Sequence, residues 1–223
     1  VSYKWDNKKP TAQMLGRWQP FHDGHFALFE ETIKKTGGIV PDQHWGKNKE
    51  KILQAIELTA SLNIKFLTFH FGFIENSDDE LREKVRFLAD VAEQNNIMIL
   101  MESGQESAES LKDFLVKLSH PALGVNFDPA NMILYDKGDP VSALETLTPW
   151  VKHIHIKDAR RSAVAGQWGE EVPWGDGDFD NYEFLKTLNR IGYQGALAIE
   201  REAGSKRLED IQHAALSLSQ FSF

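Results

Sequence analysis

Residues 97–128 read IMILMESGQESAESLKDFLVKLSHPALGVNFD: a short apolar run, an amphipathic segment, and a second apolar run. The first run ends on Glu102 and the second on Asp128. Between them Leu111, Phe114, Leu115 and Leu118 recur at helical spacing. Two buried strands separated by a helix make a βαβ unit, and such strands lie parallel with a right-handed crossover. Three more runs have the same form: IKFLTFH (64–70), VKHIHI (151–156) and ALAIE (196–200), ending at or near His70, His155 and Glu200. In parallel α/β sheets the carboxyl ends of the strands carry the chemistry. Carboxylates and imidazoles converging there are oxygen and nitrogen ligands for a divalent metal.

The intervening segments read as helices. One lies near 48–62, with Ile52, Ile56 and Leu62 among its apolar positions. The next is opened by a capping box, Ser77 with Glu80, and carries Leu81, Val85, Leu88 and Ala92. Asp139-Pro140 is an N-cap followed by an N1 proline. Residues 158–179, with Trp168 and Trp174, read as one long loop, in which Asp176 and Asp178 have turn roles. Asp180 and Glu183 form another capping box for a helix bearing Phe184, Leu185 and Leu188. The final helix is expected to bury Leu208, Ile211, Ala215 and Leu218. Upstream, TAQMLGRW (11–18) reads as a strand, and a helix with Phe26, Phe29 and Ile33 ends at Gly37.

Six strands are convincing and GGIV (37–40) is a weak seventh, where a standard barrel needs eight. The expected fold is α/β: a parallel sheet with outer helices, a truncated or rebuilt (βα) barrel of about 6–8 strands. Unclosed sheet edges would favour a homodimer.

Composition excludes several classes. The formal charge of −8, without a basic cluster, argues against a nucleic-acid partner. The absence of cysteine excludes disulfides and thiolate zinc sites. No apolar run is long enough to span a bilayer and no signal segment opens the chain, so the expectation is a soluble cytoplasmic protein without a membrane partner.

From about Gly38 onward the chain resembles the sugar-phosphate isomerase/epimerase family, the xylose-isomerase-like barrels that include endonuclease IV. The resemblance rests on FLTFHFGF, ILMESGQES, LGVNFDPANM, VKHIHIKDARR and GDGDFDNYEFLKTLNRIGYQGALAIERE, in that order. It implies a mononuclear site for Mn²⁺, Mg²⁺, Co²⁺ or Zn²⁺ on Glu102, Asp128, His155 and Glu200. It also implies that Glu102 and Glu200 are catalytic, exchanging a proton beside the carbonyl of a sugar or sugar phosphate. Lys157 and Arg161 could hold a substrate hydroxyl or phosphate, and His70 lies where the family often has a pocket histidine. Asn131 stands where many members have histidine, which argues against a multinuclear zinc site. His153 is expected behind the site or in the core, and Glu202 at the rim, paired with a base.

The opening segment differs. MLGRWQPFHDGHFALFEETIKKTG resembles the HxGH nucleotidyltransferases, with His22 and His25 as candidate nucleotide-binding residues at a strand-to-helix turn. The expected organisation is therefore a chimera, 1–37 nucleotidyltransferase-like and 38–223 isomerase/epimerase-like, in one fused domain. Three functions follow: a recombined scaffold of doubtful catalysis, an active metal-dependent sugar isomerase/epimerase working through an enediolate, or a nucleotide-binding protein using the HxGH motif.

Overall fold

The computed structural model describes residues 45–71, 74, 79–164 and 167–221. The elements run α1 (Trp45–Ser61), β1 (Phe66–Phe69), α2 (Asp79–Gln94), β2 (Met98–Glu102), α3 (Ala108–Leu118), β3 (Leu123–Phe127), α4 (Pro129–Leu134), α5 (Pro140–Leu147), β4 (Val151–Ile156), β5 (Asp158–Arg160), β6 (Glu170–Val172), α6 (Asn181–Arg190), β7 (Ala196–Ile199) and α7 (Arg207–Ser219). Five strands form one parallel sheet in the order β1-β2-β3-β4-β7. With helices around it, the sheet curls as a half-barrel. The expected strand at 11–18, the helix after it, GGIV and the Ser77 half of a capping box lie outside the described residues.

Helix starts follow the local chemistry. Ser107, Asp128, Asp139 and Asp180 each accept a hydrogen bond from the backbone N–H three residues on, capping α3, α4, α5 and α6. Each helix then presents its apolar stripe to the sheet: Leu81, Val85, Leu88 and Ala92 from α2, Leu111, Phe114, Leu115 and Leu118 from α3, Phe184, Leu185 and Leu188 from α6. These meet Ile99, Met101, Val125, Phe127, Ile154 and Ile156, the outward residues of the strands, in one hydrophobic core. The alternate strand positions face inward and carry the sheet's polar side chains, among them Thr68, Glu102, Asn126, His153 and His155.

One register shift decides that polar face. Val125 pairs with Val151, but Asn126 pairs with His153, so Lys152 is passed over between them. A slip of one residue exchanges the faces of a strand. Here it turns both His153 and His155 inward and leaves Lys152 at the periphery.

One helix was not anticipated and two expectations need correction. Asp128 is followed at once by α4, whose six residues are all buried; such a helix has no polar face and so no period to read. The stretch 158–179 is not one loop, because β5 and β6 pair antiparallel inside it. Strands of three residues are too short for alternation to register. The last helix buries Ala214 and leaves Leu208 and Leu216 exposed. It rests on β7, the edge strand of the described sheet, and only part of its surface is covered.

Candidate metal and proton-transfer site

The carboxyl ends of β2, β3, β4 and β7 deliver Glu102, Asp128, His155 and Glu200 to one place. Each offers one ligand atom, and the four atoms lie within 4.8 Å of one another. His155 Nδ1 is central: it is 2.9 Å from Glu200 Oε2, 3.3 Å from Asp128 Oδ2 and 3.8 Å from Glu102 Oε1. Asp128 is fully buried and His155 nearly so.

Lys157 follows β4 and enters the same cluster. Its Nζ lies 3.2 Å from Glu200, 3.3 Å from Glu202 and 3.6 Å from Asp128. His70 Nε2 is 3.5 Å from Glu102 Oε1, and His70 Nδ1 is buried without a hydrogen-bond partner in the structure. Arg161 does not join them. Its guanidinium is held by Asp136 at 2.7 Å and by the Gly138 carbonyl at 2.8 Å, because the β5–β6 ribbon directs it toward the end of α4. His22 and His25 lie outside the described residues.

Two asparagines also belong to the site, and of these Asn126 was not expected there. Asn131 donates from Nδ2 to Glu102 Oε1 at 3.2 Å and from its backbone N–H to Asp128 Oδ1 at 3.0 Å. It holds two of the four carboxyl and imidazole groups in place rather than adding a fifth. Gly104, at φ +121°, makes room for it, since a Cβ there would land on Asn131 Cβ. Asn126 is fully buried between His153 and His155. Period-two alternation puts it on the same strand face as Asp128, and an asparagine inside an apolar run was the signal available.

The electrostatics are those of crowded carboxylates. Burial raises the Glu102 pKa, and the nearby His155 and His70 do not fully offset it. Burial also works against ionised Asp128, but Lys157 and His155 outweigh it and bring its pKa to about 2. Glu200 is likewise held below its ordinary value, chiefly by His155 against the cost of burial. For His155 burial opposes the charged ring, and Glu200, Asp128 and Glu102 prevail, raising its pKa. Burial lowers that of His153 to about 4, keeping it neutral. Three carboxylates therefore face one lysine and one imidazole in a desolvated space. Hard oxygen donors with one imidazole nitrogen, closely spaced and short of positive charge, fit a divalent cation.

Glu106, in the loop after β2, is buried and its pKa is raised by that burial to about 8, with Lys137 only partly opposing. The folded chain keeps this proton to higher pH than the unfolded chain does, so stability falls as pH rises from about 4.5 toward 8. Glu106→Gln is expected to flatten that decline and to be more stable than the parent at pH 8 by about 3 kcal/mol. Urea unfolding at pH 5 and pH 8 checks this; equal slopes with pH in both proteins would refute it.

Among the described residues no helix is long and apolar enough to cross a membrane. The family described as xylose isomerase-like TIM barrel matches residues 19–221. The match runs through the expected join at 37–38 and includes His22 and His25, so a separate nucleotidyltransferase portion, a chimera or an engineered origin finds no support. A xylose isomerase domain protein from Planctomyces limnophilus is 34% identical, with a TM-score of 0.75 over 82% of this chain and 67% of that one. Inosose dehydratase of Clostridium tetani is 24% identical over 158 residues, 64% of this chain and 53% of the relative. The 3-dehydroshikimate dehydratase of Bacillus anthracis is 25% identical over 138 residues, 59% of this chain and 45% of the relative. The chain thus spans about half the length of these curated relatives. With its parallel half-barrel, its strand-end cluster and a match over nearly all its length, the chain belongs to the xylose isomerase-like TIM barrel family.

Proposed function

We propose that this protein is a divalent-cation-dependent enzyme that moves a proton on the carbon beside a carbonyl of a sugar or sugar-derived ring. That step is common to the isomerase and epimerase chemistry expected from the sequence and to the dehydratases among its relatives. The observation that carries the reading is the approach of four ligating atoms to within 4.8 Å at strand ends. Glu102, Asp128, His155 and Glu200 would hold the cation; Mg²⁺, Mn²⁺, Co²⁺ and Zn²⁺ all suit this donor set. When bound it would supply positive charge to a substrate carbonyl oxygen on which negative charge develops.

The chain's own groups divide the remaining work. Glu200, kept ionised by His155 and Lys157, is the group suited to take the proton from carbon. Glu102, whose buried carboxyl favours the protonated form, is suited to return one. The two sit on strands separated by β3 and β4 in the sheet, so they approach the substrate from different sides. Return to carbon gives isomerisation or epimerisation; delivery to a neighbouring hydroxyl gives dehydration. Lys157 remains charged, its pKa raised against burial by Asp128 and Glu200, and can hold a substrate hydroxyl or phosphate. Arg161 is already engaged elsewhere and is no longer needed in that role. The chain acts as one fused domain.

The test is exchange in D₂O. With an inosose or a ketose and Mg²⁺ or Mn²⁺, proton NMR should show cation-dependent loss of the signal beside the carbonyl. Glu200→Gln should slow it about 10²–10⁴-fold. If Glu102→Ala and Glu200→Ala bind the cation as the parent does, the reading is wrong.

A further inference from the structure

Asn126 occupies the middle of a buried strand, where an amide needs partners on every side. Its Nδ2 lies 3.0 Å from His155 Nε2 and 3.2 Å from Thr68 Oγ1, and its Oδ1 lies 2.8 Å from His153 Nδ1. The register shift between β3 and β4 creates this arrangement by setting Asn126 opposite His153. The two rings stand edge to face, 5.6 Å apart. On the far side of its ring, His153 Nε2 is buried without a hydrogen-bond partner in the structure.

With the amide NH₂ toward His155, Nε2 of that ring must accept and its proton sits on Nδ1 among the carboxylates, whereas the charged ring they favour carries a proton on both nitrogens. A cation held by Glu102, Asp128, His155 and Glu200 needs the Nδ1 lone pair, so the proton must then sit on Nε2. There it would meet the NH₂ group donor to donor. Half a turn of the amide removes the conflict. Oδ1 then accepts from His155 Nε2–H and from the Thr68 hydroxyl. The NH₂ donates to His153 Nδ1, and the His153 proton lies on Nε2. In the loaded protein each ring is neutral with one N–H, and a proton held on His155 Nδ1 by the carboxylates leaves as the cation takes that lone pair.

We propose that Asn126 is a positioning residue: by accepting the Nε2 proton of His155 it aims the Nδ1 lone pair at a bound cation, and it thereby fixes His153 as the Nε2–H tautomer in the loaded protein. The proposal rests on the reading that these four residues hold a cation. An amide suits the position because it faces the two imidazoles with opposite polarity. Aspartate would accept from both rings, and leucine would serve neither.

The experiment uses the full chain labelled with ¹⁵N-histidine, with long-range ¹H–¹⁵N spectra recorded in chelator and then in saturating Mg²⁺. In the loaded parent both rings should be Nε2–H tautomers. In loaded Asn126→Asp, His155 should be unchanged and His153 should switch to Nδ1–H. Calorimetry should show Mg²⁺ affinity retained in Asn126→Asp and weakened about 10–100-fold in Asn126→Leu, as loss of a partner to a ligating histidine does. Should the leucine variant fail to fold, the tautomers of the parent and the aspartate variant decide the matter. His153 as Nδ1–H in the loaded parent, or full affinity in folded Asn126→Leu, overturns the role of Asn126 and leaves the cation site standing. No response of His155 to Mg²⁺ overturns both.

Discussion

Asp128→Ala is expected to lose the cation site and about 3–5 kcal/mol of stability in one step. The Asp128 side chain ties a helix start, an imidazole and an ammonium together. Asp128 Oδ1 accepts from the Asn131 backbone N–H, which starts α4, while Oδ2 faces His155 Nδ1 at 3.3 Å and Lys157 Nζ at 3.6 Å. The carboxylate is fully buried. Removing it strips a cap, worth about 1 kcal/mol, and leaves Lys157 and His155 short of a counter-charge in a dry interior. The charge accounts for most of the loss. Asp128→Asn separates the two contributions, since its side-chain oxygen can still cap α4 while the charge is gone. The asparagine variant should therefore recover only about 1 kcal/mol of what alanine loses. Denaturant unfolding with and without Mg²⁺ measures both. Alanine and asparagine variants as stable as the parent would mean that the carboxylate is not the counter-charge the distances describe.

The same depressed pKa has a consequence at low pH. A carboxylate ionised down to about 2 when folded, but only to its ordinary value of 3.8 when unfolded, stabilises the chain above that ordinary value. The contribution fades as pH falls through the interval between the two values. Acid unfolding of the parent therefore includes protonation of Asp128, and both variants lack that component.

The features that were legible in the amino-acid order are the ones with local causes. A run such as LGVNFD shows its strand by composition and its end by a polar residue, and Asp139 and Asp180 announce helices through caps that need only three further residues. Five strand ends could be read in this way without knowing which strands are neighbours. Features set by register could not. Nothing near Lys152 signals that it is skipped in pairing, so the alternation of His153 with His155 did not say which face of β4 turns inward. Asn131 was weighed as a ligand, whereas its amide reaches back 29 residues to steady Glu102. Arg161 looked free for substrate because the β5–β6 ribbon, which carries it to Asp136, is too short to show a pattern. The resemblance around the HxGH motif rests on one strand and one helix, and it finds no support beside a family match that runs across nearly the whole chain.

Lys157→Met is expected to move stability and cation affinity in opposite directions. The Lys157 ammonium is 96% shielded from solvent in side-chain terms, being 4% exposed, and is within 3.6 Å of Glu200, Glu202 and Asp128. Its pKa is raised despite burial, so it is charged at every working pH. Without it the buried carboxylates repel one another with only His155 between them. The cation-free variant should lose about 3 kcal/mol, as when one partner of a buried pair is removed. The Asp128 pKa should rise, so that acid unfolding begins at higher pH than in the parent. The same ammonium also repels any divalent ion entering the cluster. At separations near 4 Å and an effective dielectric constant near 20, one such unit charge contributes about 4 kcal/mol per charge of the ion. Even a fraction of this makes Mg²⁺ or Mn²⁺ bind about 10–100-fold tighter in the methionine variant. Saturating cation should then restore most of the lost stability, because the ion supplies the charge that lysine supplied. Thermal melts with and without Mg²⁺, together with calorimetric titration, measure the two effects separately. A variant that is less stable and binds the cation no better than the parent would place Lys157 in a structural ion network with no cation beside it, and the four strand-end groups would have to be explained without a metal.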